Sequence, residues 1–270
     1  MKKFSLTKKT IFLFAFCLLA VCIIAQEGRV NPAAQTEKLT GGTTFRSNSG
    51  GNRALSGTPY GYEMWSAGGN NNRMIWYGAN QGGGAAFRAE WNNPNDFLGR
   101  IGYYWNQGRP YTYYKNVFCD FNYQRSEHGT AGNYSYIGIY GWSRNPLIEY
   151  YIVEDWYGNQ WQSDTTPITI NTTGGSVIGS FTVDGSRYDI ITNTRTNKPS
   201  IDGTRTFLQI FSVRQNPRQC GTISITEHFK KWEELGVPLG SSIYECKFLV
   251  EAGGGRGWFD ATYLTFYQKD

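Results

Sequence analysis

The sequence predicts an all-β protein of the sandwich or jelly-roll kind with one short α-helix, and three observations carry that prediction. Short runs of aromatic and β-branched residues recur along most of the chain, separated by clusters of Gly and Asn. The composition agrees. Aromatic residues make up 16% of the 270 residues and charged residues only 17%, with 33 glycines, which suits a β-protein with a broad polar and aromatic surface better than a helical bundle or a disordered chain. A single segment departs from the rhythm and repeats its apolar residues at helical spacing.

Taken in order, the chain opens on Lys2, Lys3, Lys8 and Lys9, followed by an apolar run from Ile11 to Ala25. That run is too short for a comfortable membrane span and has the layout of a secretory signal, so residues 1–25 are expected to be removed near Ala25 and the protein to be secreted. A lipoprotein reading, with Leu19-Ala20-Val21 leading into Cys22, is disfavoured because valine is bulky just before a processed cysteine. No membrane attachment of the mature form is expected unless Cys22 is lipidated. The four lysines supply most of the formal charge of +5, so the mature chain is nearly neutral and its basicity does not argue for nucleic acid.

Residues 26–57 are rich in Gly, Ser, Thr, Asn and Pro and read as a flexible leader or linker. Residues 58–270 are expected to form one globular domain, since no internal repeat and no second domain is visible. Its strand-like runs are Tyr60 to Trp65, Arg73 to Tyr77, Ala85 to Trp91, Phe97 to Trp105, Tyr111 to Phe121, Tyr134 to Trp142 and Ile148 to Trp156. They continue with Ser176 to Val183, Arg187 to Thr196, Thr204 to Arg214, Cys220 to Ile225, Ile243 to Glu251 and Trp258 to Tyr267. In the segment that breaks the pattern, Thr226 can cap a helix, Phe229, Trp232 and Leu235 share a face, and Gly236 is a fitting stop. Its apolar stripe is expected to cover one face of a sheet.

Cys17 and Cys22 leave with the signal, and Cys119, Cys220 and Cys246 remain. An odd count outside the cell suggests one disulfide and one buried thiol, or three free thiols; Cys220 with Cys246 is the preferred pair. His128 and His228 stand alone, so zinc and Cys-His chemistry are not supported and no cofactor is expected.

The chemistry concentrates in a predicted hairpin from Tyr134 to Asp155. Its first strand holds two glycines that bring backbones close or leave room on a face. Ser143 to Pro146 makes the break, and Leu147 to Val153 resumes the strand. Alternation places Glu149, Tyr151 and Val153 on one face and Ile148, Tyr150 and Ile152 on the other. A carboxylate between aromatics in mid-strand is unusual, and unless it is a solvated residue of an outer face it needs a reason. Glu251 is a second such carboxylate, leaving Lys247-Phe248-Leu249-Val250 for a glycine-rich stretch where a side chain is well presented to a cleft. Two carboxylates on inner faces of one sheet are the minimum equipment for cleaving a glycosidic bond, provided their pKa values are pushed apart. Aromatic faces also suit sugar rings, and tyrosine hydroxyls suit their rims. The residues therefore indicate a carbohydrate-active or carbohydrate-binding β-sandwich, although Glu154, Glu233 and Glu245 qualify by composition alone.

The stretch Tyr140-Gly141-Trp142-Ser143-Arg144-Asn145-Pro146-Leu147-Ile148-Glu149-Tyr150-Tyr151-Ile152-Val153-Glu154 closely resembles the nucleophile motif of glycoside hydrolase family 11, the endo-β-1,4-xylanases. Tyr188-Asp189-Ile190, then Arg195 and Pro199-Ser200-Ile201, resemble that family's thumb hairpin. Phe207-Leu208-Gln209 with Ser212-Val213-Arg214-Gln215, and His228-Phe229 with Trp232 for the family's helix, follow in the same order. The resemblance spans about Tyr60 to Tyr267. It implies a jelly roll of two twisted antiparallel sheets, shaped like a partly closed right hand, and a secreted, metal-independent, monomeric hydrolase that cleaves internal linkages of xylan and xylo-oligosaccharides with retention.

Carried over residue by residue, the resemblance makes Glu149 the nucleophile and Glu251 the acid/base, in a class of enzymes whose two carboxyls sit about 5–5.5 Å apart. Tyr140, Tyr151, Arg195 and Gln209 match positions around the nucleophile, where hydrogen bonds and a guanidinium would keep it ionised. Trp65 matches a tryptophan that stacks on the sugar and Tyr136 a cleft tyrosine. Pro199 and Ile201 match the thumb tip over the sugar chain, whose motion could gate binding or release. Asp96 falls where the family carries Asn or Asp beside the acid/base, and Asp there implies a proton-sharing pair and an acidic pH optimum. The chain departs from the pattern at Ala252 and the glycine run ending in Arg256, at Phe211 in place of a tryptophan, and at Tyr244, which sits one residue farther from Glu251 than usual and suggests a bulge. Two other readings compete with this one. The thumb argues against a family 12 type endoglucanase of the same architecture, and the paired carboxylates argue against a non-catalytic carbohydrate-binding module.

Overall fold

Period-two alternation of side chains gives every strand two faces, and in the computed structural model this alternation stacks two sheets around an aromatic core. The structure describes residues 30–46, 49–130, 132, 134–158 and 175–270. The expected signal segment, 1–25, lies outside the described residues, among which no helix is long and apolar enough to cross a membrane.

In chain order the strands are β1 (Thr43–Phe45), β2 (Ser49–Ala54), β3 (Tyr60–Ala67), β4 (Arg73–Trp76), β5 (Phe87–Asn92), β6 (Asp96–Tyr104), β7 (Asn116–Arg125), β8 (Ser135–Arg144) and β9 (Ile148–Asp155). They continue as β10 (Ser176–Val183), β11 (Ser186–Ser200), β12 (Gly203–Arg214), β13 (Cys220–Ser224), β14 (Ser242–Ala252) and β15 (Arg256–Lys269), with α1 (Ile225–Glu234) between β13 and β14. One sheet has the order β1-β4-β5-β15-β7-β13 and the other β10-β11-β12-β9-β8-β14-β6-β3-β2. Neighbours run antiparallel except β9 and β12, which are parallel and set Glu149 opposite Gln209. This is a β-jelly roll with one short α-helix among the described residues, as the sequence predicts.

The main core between the sheets includes Met64, Phe87, Phe97, Phe121, Tyr150, Phe248 and Phe259. A second aromatic layer, with Tyr136, Tyr140, Trp142, Tyr151, Phe207 and Phe211, covers the other face of the nine-stranded sheet. That sheet is strongly curved. β3 and β11 are six strand steps apart, about 29 Å at the usual ~4.8 Å spacing, yet residues of both line one cleft. Gly138 contributes to the bend: its φ is 152°, it sits at a register shift in the β8–β9 pairing, and a Cβ there would lie 2.0 Å from the Ile152 carbonyl oxygen.

The helix starts two residues earlier than the sequence suggests, with Ser224 rather than Thr226 at its N-cap. Thr226 therefore falls in the first turn, and its hydroxyl accepts from the Val117 N–H at 2.8 Å. Phe229 and Trp232 pack on Tyr150 at ring distances of 5.1 and 5.7 Å, and the Trp232 indole donates to Ser212 Oγ at 2.9 Å. The stripe thus covers the core side of β9 and β12. The run expected from Tyr111 to Phe121 divides into a 3-10 turn, Tyr111–Tyr113, and β7.

Two expectations are corrected. Within the expected leader, Pro32–Ala34 form a 3-10 turn, β1 pairs with β4 and β2 with β3, and Asn122 Nδ2 donates to the Pro32 carbonyl at 3.0 Å. The described part of 26–57 is joined to both sheets rather than hanging free. Backbone pairing holds it together with a few apolar anchors, Phe45 stacked on Tyr62 at 4.0 Å and Leu55 buried in the main core, and these leave little trace in composition. The Cys220–Cys246 bridge is absent, and Cys119, Cys220 and Cys246 are all free thiols. Cys220 lies on β13 opposite Asn122, whereas Cys246 is buried on β14 opposite Tyr103 and Gly141. Stacked sheets lie about 10 Å apart, beyond the ~7 Å Cα separation a disulfide tolerates.

Candidate active site

On β9 the side chains of Tyr150 and Ile152 enter the main core, which turns Glu149 and Tyr151 toward the second aromatic layer and the cleft. Glu149 is buried there, 8% exposed, among neutral donors. Tyr140 Oη donates to its Oε1 at 2.8 Å, Tyr151 Oη to the same oxygen at 3.2 Å, and Gln209 Nε2 to Oε2 at 2.6 Å. The amide of Gln209 is oriented in turn, since its Oε1 accepts from Asn193 Nδ2 at 3.1 Å. Burial raises the Glu149 pKa, while Tyr140, Gln209, Tyr151 and the Arg100 charge oppose the rise.

Glu251 meets the reverse conditions. It lies on β14 opposite Tyr136 of β8 and Leu98 of β6, so Asp96, two residues before Leu98 and on the same face, is its diagonal neighbour. Burial and then the negative charges of Asp96 and Glu149 push the Glu251 carboxyl well above its ordinary value. Burial also raises Asp96, against a hydrogen bond from Tyr134 and one from the Phe97 backbone N–H. Asp96 Oδ1 is buried with no hydrogen-bond partner. The Tyr151 hydroxyl is within reach of Glu251 as well as Glu149, so it lies between the two carboxyls. Glu149 thus has three hydrogen-bond donors, whereas two anions, Asp96 and Glu149, bear on Glu251.

The remaining sequence-predicted residues gather around this pair. Trp65 from β3, Tyr136 from β8, Arg195 and Pro199 from β11 and Ile201 in the turn after it line one cleft of about 670 Å³ together with Glu149, Glu251, Asp96, Tyr140, Tyr151 and Gln209. The thumb hairpin is fastened at its tip, where Arg144 Nε and Nη2 meet the Asp202 carboxylate at 2.7–3.0 Å. The pairing of β14 with β8 shifts between Ile243 and Glu245, so a bulge does occur at Tyr244, whose ring lies 4.4 Å from the Arg144 guanidinium and also lines the cleft. Phe211, where the family has tryptophan, stacks on Tyr151 at 4.6 Å. A second concavity of about 780 Å³ opens by Arg88 and Trp258; of its two carboxylates, Glu90 is tied to Arg73 and Arg88, and Glu127 lies on the loop after β7. Among the described residues no group of three or more His, Cys, Asp or Glu could hold a metal ion.

Sequence reasoning missed two residues of the site. The guanidinium whose charge bears foremost on Glu149 is that of Arg100, whereas Arg195 acts on Tyr136. An arginine within the otherwise uncharged run Phe97 to Tyr103 was the available signal. Tyr134 is the second, as the hydrogen-bond partner of Asp96. Its ring fits because Gly253 has no side chain: a Cβ there would lie 2.3 Å from Tyr134 Cε1. The glycine run after Glu251 therefore has a packing reason.

Comparison with known proteins agrees with this geometry. The family model for glycosyl hydrolases family 11 matches residues 58–262. Endo-1,4-beta-xylanase C of Fibrobacter succinogenes is 45% identical over 231 residues, which is 84% of this chain but only 34% of that protein, so the chain spans about a third of that relative's length. Endo-1,4-beta-xylanase A of Bacillus pumilus is 41% identical over 198 residues, 73% of this chain and 77% of that protein. A crystal structure of an ENZbleach xylanase mutant superposes with a TM-score of 0.86 at 62% identity, covering 91% of this chain and 94% of that one. Because the matched residues include both buried carboxyls, the strands that flank them and the thumb hairpin, the chain belongs to the glycosyl hydrolases family 11.

Proposed function

We propose that the protein is an endo-1,4-β-xylanase that hydrolyses internal linkages of xylan with retention of anomeric configuration. The observation that carries this reading is a pair of buried carboxyls in one cleft with different neighbours: Tyr140, Tyr151 and Gln209 donate to Glu149, while the anions Asp96 and Glu149 bear on Glu251. In the first step Glu251 gives its proton to the leaving glycosidic oxygen while the Glu149 carboxylate attacks the anomeric carbon, forming a glycosyl-enzyme ester. In the second, the Glu251 carboxylate takes a proton from water as that water attacks the same carbon, and Glu149 leaves as a carboxylate. Both atoms and charge return to the starting state. Tyr140, Tyr151 and Gln209 hold Glu149 ionised and aimed; Trp65 and Tyr136 offer flat faces to the sugar chain, Arg195 a cation, and Pro199 and Ile201 a movable cover.

Asp96 favours an acidic optimum. Two neighbouring carboxyls lose their protons in two well separated steps. Where catalysis uses the doubly protonated pair, the rate falls at that first loss. The lysine-led apolar run before Ala25 supports secretion of the mature chain.

Proton NMR of xylan during hydrolysis tests the reading directly. The β-anomer of the new reducing end is expected first, and initial appearance of the α-anomer would overturn the retaining assignment. Glu149→Gln is expected to abolish turnover on xylan, and full activity in that variant would remove Glu149 as nucleophile.

A further inference from the structure

Beside the reacting pair lies a group of buried charges that the double displacement does not use. Arg100 on β6 stands between β3 and β14. Its Nε donates to Glu63 Oε2 at 2.8 Å, its Nη2 to the same oxygen, and its Nη1 to Glu245 Oε1 at 2.8 Å. The other oxygen of Glu245 accepts from Lys247 Nζ at 2.8 Å, and both of these side chains are fully buried. Alternation along β14 puts Glu245, Lys247 and Glu251 on one face, so the cluster and the acid/base share a side of the sheet. Charges this deeply buried are rare unless paired, and here two cations meet two anions.

The members are not equivalent in position. Arg100 meets the catalytic layer: its guanidinium carbon lies 4.3 Å from the centre of the Tyr140 ring, and the Tyr140 hydroxyl donates to Glu149 at 2.8 Å. We propose that Arg100 is a positioning residue for the reaction set out above: clamped by Glu63 and Glu245, it holds the Tyr140 ring against Glu149 and turns the positive end of a neutral charge cluster toward both reacting carboxyls. This inference rests on Glu149 and Glu251 being those carboxyls.

Arginine suits the position for two reasons. Its planar fork reaches carboxylates on two different strands while its flat face lies on an aromatic ring, and lysine offers the charge without the fork or the face. The titratable groups that face it are Glu63 from β3, Tyr140 from β8, Glu149 from β9, and Glu245, Lys247 and Glu251 from β14. The Arg100 charge lowers both Glu149 and Glu251. Alone it would favour loss of the Glu251 proton; the anions that clamp it temper that effect. Lys247 is pushed down to about 8, by burial first, with Glu245 opposing. Its deprotonation would leave the cluster net negative and tighten the hold of both carboxyls on their protons.

The test is site-resolved carbon-13 NMR titration of the Glu149 and Glu251 carboxyls in the full chain, alongside the pH profile of kcat/KM, for Arg100→Met, Arg100→Lys and Glu63→Gln. Arg100→Met is expected to raise both carboxyl titrations, and with them both limbs of the profile, by about one pH unit or more. Glu63→Gln removes a neighbouring negative charge and moves them the opposite way. Arg100→Lys keeps them in place and still loses rate, because the support of the Tyr140 ring goes. Shifts of opposite sign are something a folding defect does not produce. Loss of rate in Arg100→Met with both titrations unmoved overturns the proposal. If Arg100→Met does not fold, unmoved titrations in Glu63→Gln overturn it instead. The titrations need no substrate, so a wild-type protein that fails to cleave xylan would remove the reaction while leaving the placement of the Arg100 charge to be decided.

Discussion

Replacing Tyr140 with Phe deletes one hydroxyl and leaves the ring beneath Arg100 in place. That hydroxyl has two partners: it donates to Glu149 Oε1 at 2.8 Å and accepts from the Trp142 indole N–H. A hydrogen bond to a charged group contributes about 1.5–3 kcal/mol, and this one favours the ionised carboxyl. At about 1.4 kcal/mol per pH unit, its loss raises the Glu149 pKa by about one to two units. The proposed attack needs Glu149 ionised, so the acid limb of kcat/KM moves up by the same amount and the rate below that limb falls about 10- to 100-fold. Tyr151 at 3.2 Å and Gln209 at 2.6 Å remain, so activity survives above the limb. The second partner predicts an independent effect. Trp142 is buried, and an indole N–H left without an acceptor costs about 1–3 kcal/mol, which at roughly 2–4 °C per kcal/mol lowers Tm by several degrees. A pH series of kcat/KM on a xylo-oligosaccharide and a thermal scan measure the two effects separately. A lowered Tm with an unmoved acid limb would refute the reasoning, since the hydroxyl would then serve Trp142 alone.

Asp96→Asn removes the first proton loss of the Asp96–Glu251 pair and should move the optimum of the rate profile upward; an optimum that stays put contradicts the pairing. His228 is buried among Phe181 and Tyr188 at ring distances of 4.9 and 4.7 Å, with neither nitrogen hydrogen-bonded, and burial followed by the charges of Arg218 and Arg214 holds its pKa well below 6.5. The unfolded chain therefore takes up the proton first as pH falls below about 6.5, and stability is lost through that window. His228→Phe should flatten the urea midpoint between about pH 6.5 and 4, and profiles parallel to wild type would contradict it. The Arg144–Asp202 contact at the thumb tip is partly exposed and contributes about 0–1 kcal/mol. Asp202→Asn should raise KM by up to about fivefold without lowering kcat, whereas an unchanged KM would show that the contact does not hold the thumb over the sugar chain.

Legibility of the site in the sequence follows the range of each interaction. Which face Glu149 occupies was readable, because alternation along one strand is local and Ile148, Tyr150 and Ile152 mark the core side. Which strands stand beside it was not readable from pattern alone. Gln209 reaches Glu149 from 60 residues downstream, and only the parallel pairing of β9 with β12 brings it there. The same holds for the charges. Nothing in the sequence ties Glu63, Arg100, Glu245 and Lys247 to one another, and their mutual burial depends on the order β14-β6-β3. Cys220 and Cys246 were paired by count, but a count does not say that β13 and β14 belong to different sheets. The leader was misjudged for a related reason, since its attachment runs through backbone pairing and a few scattered apolar anchors, Phe45 stacked on Tyr62 and Leu55 in the core, rather than through a dense apolar pattern.

The register across β8 poses a problem that its glycines resolve. Glu149 on β9 stands opposite Trp142, and Glu251 on β14 stands opposite Tyr136, six residues away along the strand between them. On a flat strand those positions would lie about 20 Å apart, too far for one tyrosine hydroxyl to reach both carboxyls. Yet the Tyr151 hydroxyl does reach both. The strands must therefore bend between Tyr136 and Trp142, and that interval contains the register shift at Ile137 and Gly138 as well as Gly141, where a Cβ would collide with the Glu245 carbonyl and the Tyr150 ring. A bulge with positive φ, followed by a residue without a side chain where two backbones press together, folds the sheet toward the cleft. The glycines of the central hairpin thus act on the chemistry at a distance: they carry none of it, and they set how closely the two carboxyls approach.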